Sequence, residues 1–518
     1  MSAEQLTRRG FLFAAASPSR AALPNSPRSS PGKPNFVLFM PDQLRADSLA
    51  CYGHPMVRTP NFDRLAREGV RFTHCQAVYP VCTASRCSMM TGWPPHVRGH
   101  RTVYHLLRPE EPNLFRYLKQ DGYDVYWFGK NDLLRPECFP DSVTEWRAFV
   151  EGFEWDAKDN PWPLTDPRYY SFLFREGRDP RDYPDYARVL AATRILKRRE
   201  SARPFCLYLP LFFPHPPYAG PAGYHDLYDP GALPPLRPPR LQRKPELYRA
   251  IRKSRQLDRL DEGVFRKIRA VYLGMVSYSD WLLGLLLEAL AESGLEKTTA
   301  VIACSDHGDW AGDYGLVEKW SNAMDDPLLH VPLLIRAPGC AGGHVADGLV
   351  ELADVMPTCL ELAGIEVRHT HFARSLVPEL RGGPGDPERP VFSEGGYNHR
   401  YERHAFEPLE RFDPAHIYYP KIHLENTRPE LITRTTMIRT RDAKLVLRPD
   451  GESEFYDLRL DPQELENLYG ERSVRGRQEA LEHAMLRWYV RTSDVVPLER
   501  DPRGLPPYPL PRRIRNKR

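Results

Sequence analysis

Four apolar runs in this chain each end in a residue able to do acid–base, metal or anion-binding chemistry. Asn35–Met40 runs into Pro41, Asp42 and Gln43, and Asp124–Phe128 into Gly129 and Lys130. Phe205–Phe213 runs into Pro214 and His215, and Thr299–Cys304 into Ser305, Asp306, His307 and Gly308. Any one of these residues alone reads as a turn or cap. Their repeated position after an apolar run is what marks them. Nine cysteines, from Cys51 to Cys359, include no Cys-x-x-Cys pair. An odd count without regular spacing argues against a disulfide framework and raises the question of which thiol is chemical.

The elements needed to position these groups follow from the pattern between them. Continuous apolar runs read as buried strands. Leu333–Ile335 adds another. Thr59 and Pro60 open a helix that carries Phe62 and Leu65 and stops at Gly69, with Thr59 as the expected N-cap. Ile268 to Leu290 reads as a long apolar-faced helix. Strands alternating with helices predict an α/β fold with a large, mostly parallel central sheet flanked by helices. In open α/β sheets, ligands bind beyond the carboxyl ends of the strands, so Asp42, Lys130, His215 and Asp306 are expected to converge.

Segments 135–185, 216–262 and 397–436 read as insertions that could wall a substrate site. After about residue 437 short strands at Met437–Thr440, Lys444–Leu447 and Glu454–Asp457 precede a helix near Gln478–Val490. The expected organisation is a leader or disordered extension over 1–32, a catalytic α/β domain over 33–400, a small α+β C-terminal domain over 401–495 and a Pro/Arg-rich tail over 496–518.

The 518 residues are 41% hydrophobic and 27% charged, enough apolar content for a sizeable core. No uninterrupted apolar run reaches the ~20 residues of a membrane span, so none is expected. A net charge of +4 is too small for this length to suggest nucleic acid. Proline is frequent, 52 residues, and lysine supplies only about 13 of the 72 basic residues. Arg8-Arg9 before Phe11-Leu12 resembles a twin-arginine export signal, which predicts an exported, periplasmic protein; a cytoplasmic extension is the alternative.

Residues 80–92 carry the most specific pattern: Cys82, Ala84 and Arg86, then two methionines and Thr91-Gly92. This resembles the signature of the formylglycine-dependent sulfatases, in the alkaline phosphatase superfamily. Tyr52-Gly53, Thr59-Pro60-Asn61, Ser305–Asp309, Val331-Pro332-Leu333 and Tyr456-Asp457-Leu458 are similar to other family stretches, so the resemblance covers roughly residues 34–470. It implies that Cys82 is converted to formylglycine by a maturation enzyme. Ala84, where proline is commoner, implies a preference for the oxygen-independent radical route. It further implies Asp42, Gln43, Asp306 and His307 as metal ligands, with calcium first and manganese or zinc possible because of the imidazole. Lys130, His215 and Lys319 are implied as sulfate-binding and leaving-group residues. Where many family members have a histidine two residues after the lysine, this chain has Asp132, either as a base in that role or leaving it unfilled.

Physical chemistry agrees with these assignments. A cysteine at a helix N-terminus meets free N–H groups and a favourable dipole for anions. Arg86, one turn on, adds a fixed cation. Lysines and a histidine suit the charge on a sulfate's non-bridging oxygens. The expected reaction is hydrolysis of a sulfate monoester of a sugar, a small molecule or an aryl alcohol. Two alternatives stand beside it: a phosphonate monoester or phosphodiester hydrolase on the same scaffold, and an inactive sulfated-glycan-binding protein. The arginine- and aromatic-rich insertions would suit a polyanionic sulfated sugar.

Overall fold

The computed structural model describes residues 32–147, 160–199 and 201–497. The expected leader over 1–32 (apart from Gly32), residues 148–159 of the first insertion and nearly all of the expected tail lie outside the described residues.

The central strand is β1, Asn35–Met40, with all six residues buried. An apolar run without alternation suits a strand covered on both faces. β2 is Val70–Gln76, β3 Asp124–Phe128, β4 Glu145–Arg147, β5 Phe205–Pro210 and β6 Thr299–Cys304. β7 is His330–Val331, β8 Leu333–Arg336 and β9 His344–Glu351. These nine form one sheet in the order β4-β3-β5-β1-β6-β8-β2-β7, with β9 also on β2. β1 pairs in parallel with β5 and β6, and β3 with β4 and β5. The antiparallel pairs all involve β8 or β7. The carboxyl ends of β1, β3, β5 and β6 therefore share one edge, which sends Asp42, Lys130, His215 and Asp306 toward one region.

Helices cover the sheet. Pro60–Glu68 forms as expected, but its cap differs from the expectation. Thr59 makes no side-chain cap; its hydroxyl accepts from Ala50 N at 3.0 Å. The free N–H groups of Asn61 and Phe62 go instead to Asp280 Oδ1, both at 2.9 Å. Asp280 belongs to the long helix Glu262–Glu292, so one carboxylate ties two helices together. That long helix is the one among the described residues with the length and mean hydropathy to cross a membrane, and 89% of its apolar window is buried inside the protein. It packs along Pro184–Arg198 and Pro60–Glu68 as a core helix.

A second sheet is antiparallel: β10 Val391–Gly395, β11 Thr435–Arg439, β12 Ala443–Leu447 and β13 Glu454–Asp457. It draws its first strand from before residue 400. Phe392, Ile438, Leu445, Phe455 and Met485 make its own core beneath the helix Arg475–Thr492, where Trp488 stacks on Phe392 at 4.4 Å. Buried ion pairs join it to the larger body. Lys444 meets Asp326 at 2.6 Å, and Lys244 meets Glu454 at 3.8 Å.

Candidate active site

Cys82 is the first residue of the helix Cys82–Thr91, all of whose residues are buried. Val81, at the N-cap, offers no side-chain cap, which leaves the first-turn N–H groups available for an anion among the described residues. The helix ends at Gly92, whose φ of +70° favours glycine and whose Cβ position lies 2.9 Å from Met356 Cε.

The four strand-end residues do converge on this helix. Asp42 follows β1, and its Oδ1 lies 3.5 Å from Cys82 Sγ. His307, just beyond β6, brings Nε2 to 3.2 Å from the same sulfur. Lys130 Nζ lies 3.9 Å from it and bonds Asp42 Oδ2 at 3.0 Å. Lys130 is aimed by Gly129, where a Cβ would sit 2.2 Å from Pro210 O, so only glycine permits this approach of β3 to β5. Asp132 steadies the lysine from the other side, 2.8 Å from Nζ.

Arg86 has no exposed surface and does not line the cavity. It donates through Nε to Asp306 Oδ2 at 2.8 Å and through Nη2 to Asp42 Oδ2 at 2.9 Å. Its fork thus clamps both carboxylates and leaves their Oδ1 atoms turned toward His307 and Cys82. Asp306 Oδ1 also accepts from the backbone N–H of Gln43 and His307, at 3.1 and 3.0 Å. Gln43 holds φ +69°, uncommon for a residue with a side chain, which aims that N–H. Its side chain is engaged elsewhere. Oε1 accepts from Lys319 Nζ at 2.8 Å, and Nε2 donates to Asp309 Oδ2 at 2.7 Å.

Lys319 also lies 3.2 Å from His215 Nε2 and 3.0 Å from Glu318 Oε1. His215 Nδ1 is 2.6 Å from the carbonyl of Pro216, so Nδ1 carries the proton and Nε2 accepts. Burial, reinforced by Lys319, holds His215 well below the ordinary histidine value, and it is neutral. Burial opposes the charge of Lys319, but Glu318 overcomes it and raises the ammonium's value. Burial likewise pushes the Asp42 carboxyl up, yet Lys130 and Arg86 hold it well below the carboxylate range. Burial and then Asp42 push the Cys82 thiol well up, so as cysteine it is a neutral S–H.

Asp42, Cys82, Asp306 and His307 present ligand atoms that all lie within 4.8 Å of one another. His307 Nδ1 meets Gly308 O at 2.9 Å, which fixes the tautomer with the Nε2 lone pair facing the cluster. Two clamped carboxylates and one oriented imidazole fit a divalent metal.

The cavity in front is about 210 Å³. Cys82, Lys130, Asp132, His215 and Lys319 line it, while Asp42, Gln43, Arg86, Asp306 and His307 lie behind it. Among the described residues, of the three insertions only 397–436 reaches the lining, through Tyr397, Glu407, Phe412, Tyr418 and others. No arginine among the described residues lines it, so the arginine-rich composition of the described insertions makes no direct case for a polyanion. Sequence reasoning also missed Thr102–Tyr104 at the rim, and Asp309. Asp309 Oδ1 accepts from Tyr218 OH, Ala311 N and Glu318 N at 2.7, 2.6 and 3.1 Å and thereby organises the Lys319 loop. Its place in the Ser305–Asp309 stretch was a usable signal; the rim carried none.

The sulfatase family model matches residues 34–365. The chain belongs to the sulfatase family, a class of sulfuric ester hydrolases within the alkaline phosphatase superfamily. Among known proteins it is 27% identical to a multifunctional alkaline phosphatase superfamily protein, PehA, of Trinickia caryophylli, over 91% of this chain and 98% of that one. It is 26% identical to an arylsulfatase of Clostridium perfringens, over 88% and 94%. Its fold is shared with the phosphonate monoester hydrolase of Agrobacterium radiobacter, with a TM-score of 0.72, 23% identity, and 89% and 96% coverage.

Proposed function

We propose that this protein hydrolyses a sulfate monoester, using formylglycine made from Cys82 and a divalent metal held by Asp42, Asp306 and His307. The observation that carries this reading is the position of Cys82. It starts a buried helix, faces a cavity lined by Lys130, Lys319 and His215, and lies with Asp42, Asp306 and His307 in a cluster whose ligand atoms are all within 4.8 Å of one another. The donor set is two carboxylates and an imidazole, with the Gln43 amide oxygen held by Lys319. That set suits manganese or zinc better than calcium, which prefers all-oxygen ligation.

Formylglycine, once formed at Cys82 and hydrated, would supply the nucleophilic hydroxyl, and a metal held by Asp42, Asp306 and His307 would supply Lewis acidity beside it. The rest falls to this chain's own groups. Lys130 and Lys319 bind the sulfate's non-bridging oxygens, where charge is concentrated. Arg86 keeps the two carboxylates aligned. Lys319 and His215 share a proton between Nζ and Nε2, and that proton goes to the departing alkoxide as the S–O bond breaks. Asp132 holds Lys130 in place and occupies the position of the histidine seen in many relatives.

Mass analysis of the Cys82 peptide from the native host, with kinetics of Cys82→Ala, tests this. The expected results are an aldehyde at Cys82 and loss of turnover in the variant. Unmodified cysteine with full sulfatase activity overturns the mechanism. A second reading, hydrolysis of phosphonate monoesters, is supported by the fold shared with a phosphonate monoester hydrolase and by Asp132. Comparing kcat/KM on matched aryl sulfate and aryl phosphonate esters decides between them. Export through the Arg8-Arg9 leader is part of the proposal, and cell fractionation tests it.

A further inference from the structure

The insertion that walls the cavity brings two carboxyl groups that no cation pairs with directly among the described residues. Lys421 and Glu425 stand one turn apart on the helix Tyr419–Thr427, a spacing that allows them to pair. They do not. Lys421 Nζ goes to both carboxylate oxygens of Glu318, each at 3.4 Å. Glu318 is already met by Lys319 at 3.0 Å and Arg255 at 3.4 Å. Glu425 is 4% exposed and lines the cavity, and among the described residues its carboxylate has no hydrogen bond or ion pair. The Glu407 carboxylate lines the same space, also without a partner among the described residues.

An unpaired buried carboxylate is costly to keep. Burial, with Glu407 adding to it against Lys421, pushes the Glu425 carboxyl up to about 8. A protein that keeps such a group at its ligand cavity has a use for it. Tyr397, Phe412 and Tyr418 line the same region, and aromatic faces attract cations. The cavity is therefore two-signed: lysines for a sulfate, and among aromatic rings a pair of carboxyl groups that a bound cation would draw into their ionised form.

We infer that the alcohol released by this enzyme carries an ammonium group, so that the substrate is the sulfate monoester of an amino alcohol or amino sugar, recognised by Glu425 and Glu407. This rests on the sulfate-ester reading above and specifies its leaving group. It opposes the polyanionic sugar that the arginine-rich insertions suggested.

Two isosteric pairs test it in the mature enzyme: choline sulfate against 3,3-dimethylbutyl sulfate, and glucosamine 6-sulfate against glucose 6-sulfate. The cationic member of at least one pair should lead by tenfold or more in kcat/KM. Glu425→Gln should cut that lead at least fivefold, and Glu407→Gln should cut it less. Equal or reversed preference in both pairs, with an aryl sulfate turned over, overturns the inference and leaves the sulfatase reading standing. Calorimetry of the wild-type protein with choline or glucosamine, against 3,3-dimethylbutanol or glucose, needs neither turnover nor a folded variant. Tighter binding of a cationic alcohol supports the inference even if no sulfate ester is hydrolysed. Equal binding within both pairs overturns it.

Discussion

Glu425→Gln makes a stability prediction whose sign follows from burial. In the folded protein the Glu425 carboxyl titrates near 8, raised by burial against the ordinary 4.5. Between those values the folded state keeps a proton that the unfolded state has released. Stability from this group is thus complete below about pH 4.5 and is lost as pH rises through about 8. Each unit is worth ~1.4 kcal/mol, so the shift from 4.5 to about 8 sets a ceiling of roughly 5 kcal/mol and a working estimate of ~2–4 kcal/mol above pH 8. Glutamine keeps the shape without the charge and removes the pH-dependent part. At about 2 cal/mol/K of unfolding entropy per residue, a chain this long shifts by roughly 1 °C per kcal/mol. Thermal unfolding should show the Glu425→Gln difference near its minimum at about pH 5 and growing by ~2–4 °C in the variant's favour by about pH 9. A difference that stays flat across this range, or grows in favour of the wild type, would refute the claim that this carboxylate is buried and uncompensated. The group at Glu407 must be kept the same in both proteins, because it faces Glu425 and titrates against it.

Arg86→Lys should destabilise the protein by ~3–5 kcal/mol, because one ammonium cannot reach both carboxylates the fork now holds; urea midpoints report this, and elemental analysis should find less bound metal. Lys130→Ala should lower kcat by ~10²–10³ with a smaller change in KM, read from steady-state kinetics on an aryl sulfate; an unchanged kcat would remove Lys130 from the sulfate site. After chelation, manganese or zinc should restore activity more fully than calcium, and calcium alone restoring it fully would contradict the imidazole as a ligand.

Much of the site was legible because its residues sit where strands end. β1, β3 and β6 fall on the predicted apolar runs residue for residue, since strands buried on both faces write an unbroken signal. Lysine scarcity made Lys130 and Lys319 stand out. β2 and β9 were missed. β2 mixes apolar residues with Arg71, Thr73 and His74, and β9 carries Asp347 and Gly348, so neither shows a clean run. The Thr59 cap was missed for a different reason: its competitor, Asp280, lies more than two hundred residues away. The rim residues Thr102–Tyr104 and the carboxylates Glu407 and Glu425 lie in loops or a short helix with no periodicity to mark them.

Residue types at strand and helix ends carried the proposed chemistry: a cysteine ahead of an arginine, acidic and imidazole groups that could hold a metal, and cations that could hold a sulfate. Those features are local, and local features survive in a one-dimensional pattern. Which group each side chain would satisfy was decided only by the tertiary structure. Folding turned Arg86 from a bare cation into a clamp on two carboxylates, and drew the Gln43 amide to Lys319 and Asp309. It also left Glu425 buried without a partner among the described residues, while Lys421 went to Glu318. Buried polar groups take whatever partner lies within about 3 Å, and that neighbour comes from packing across the chain, not from sequence spacing.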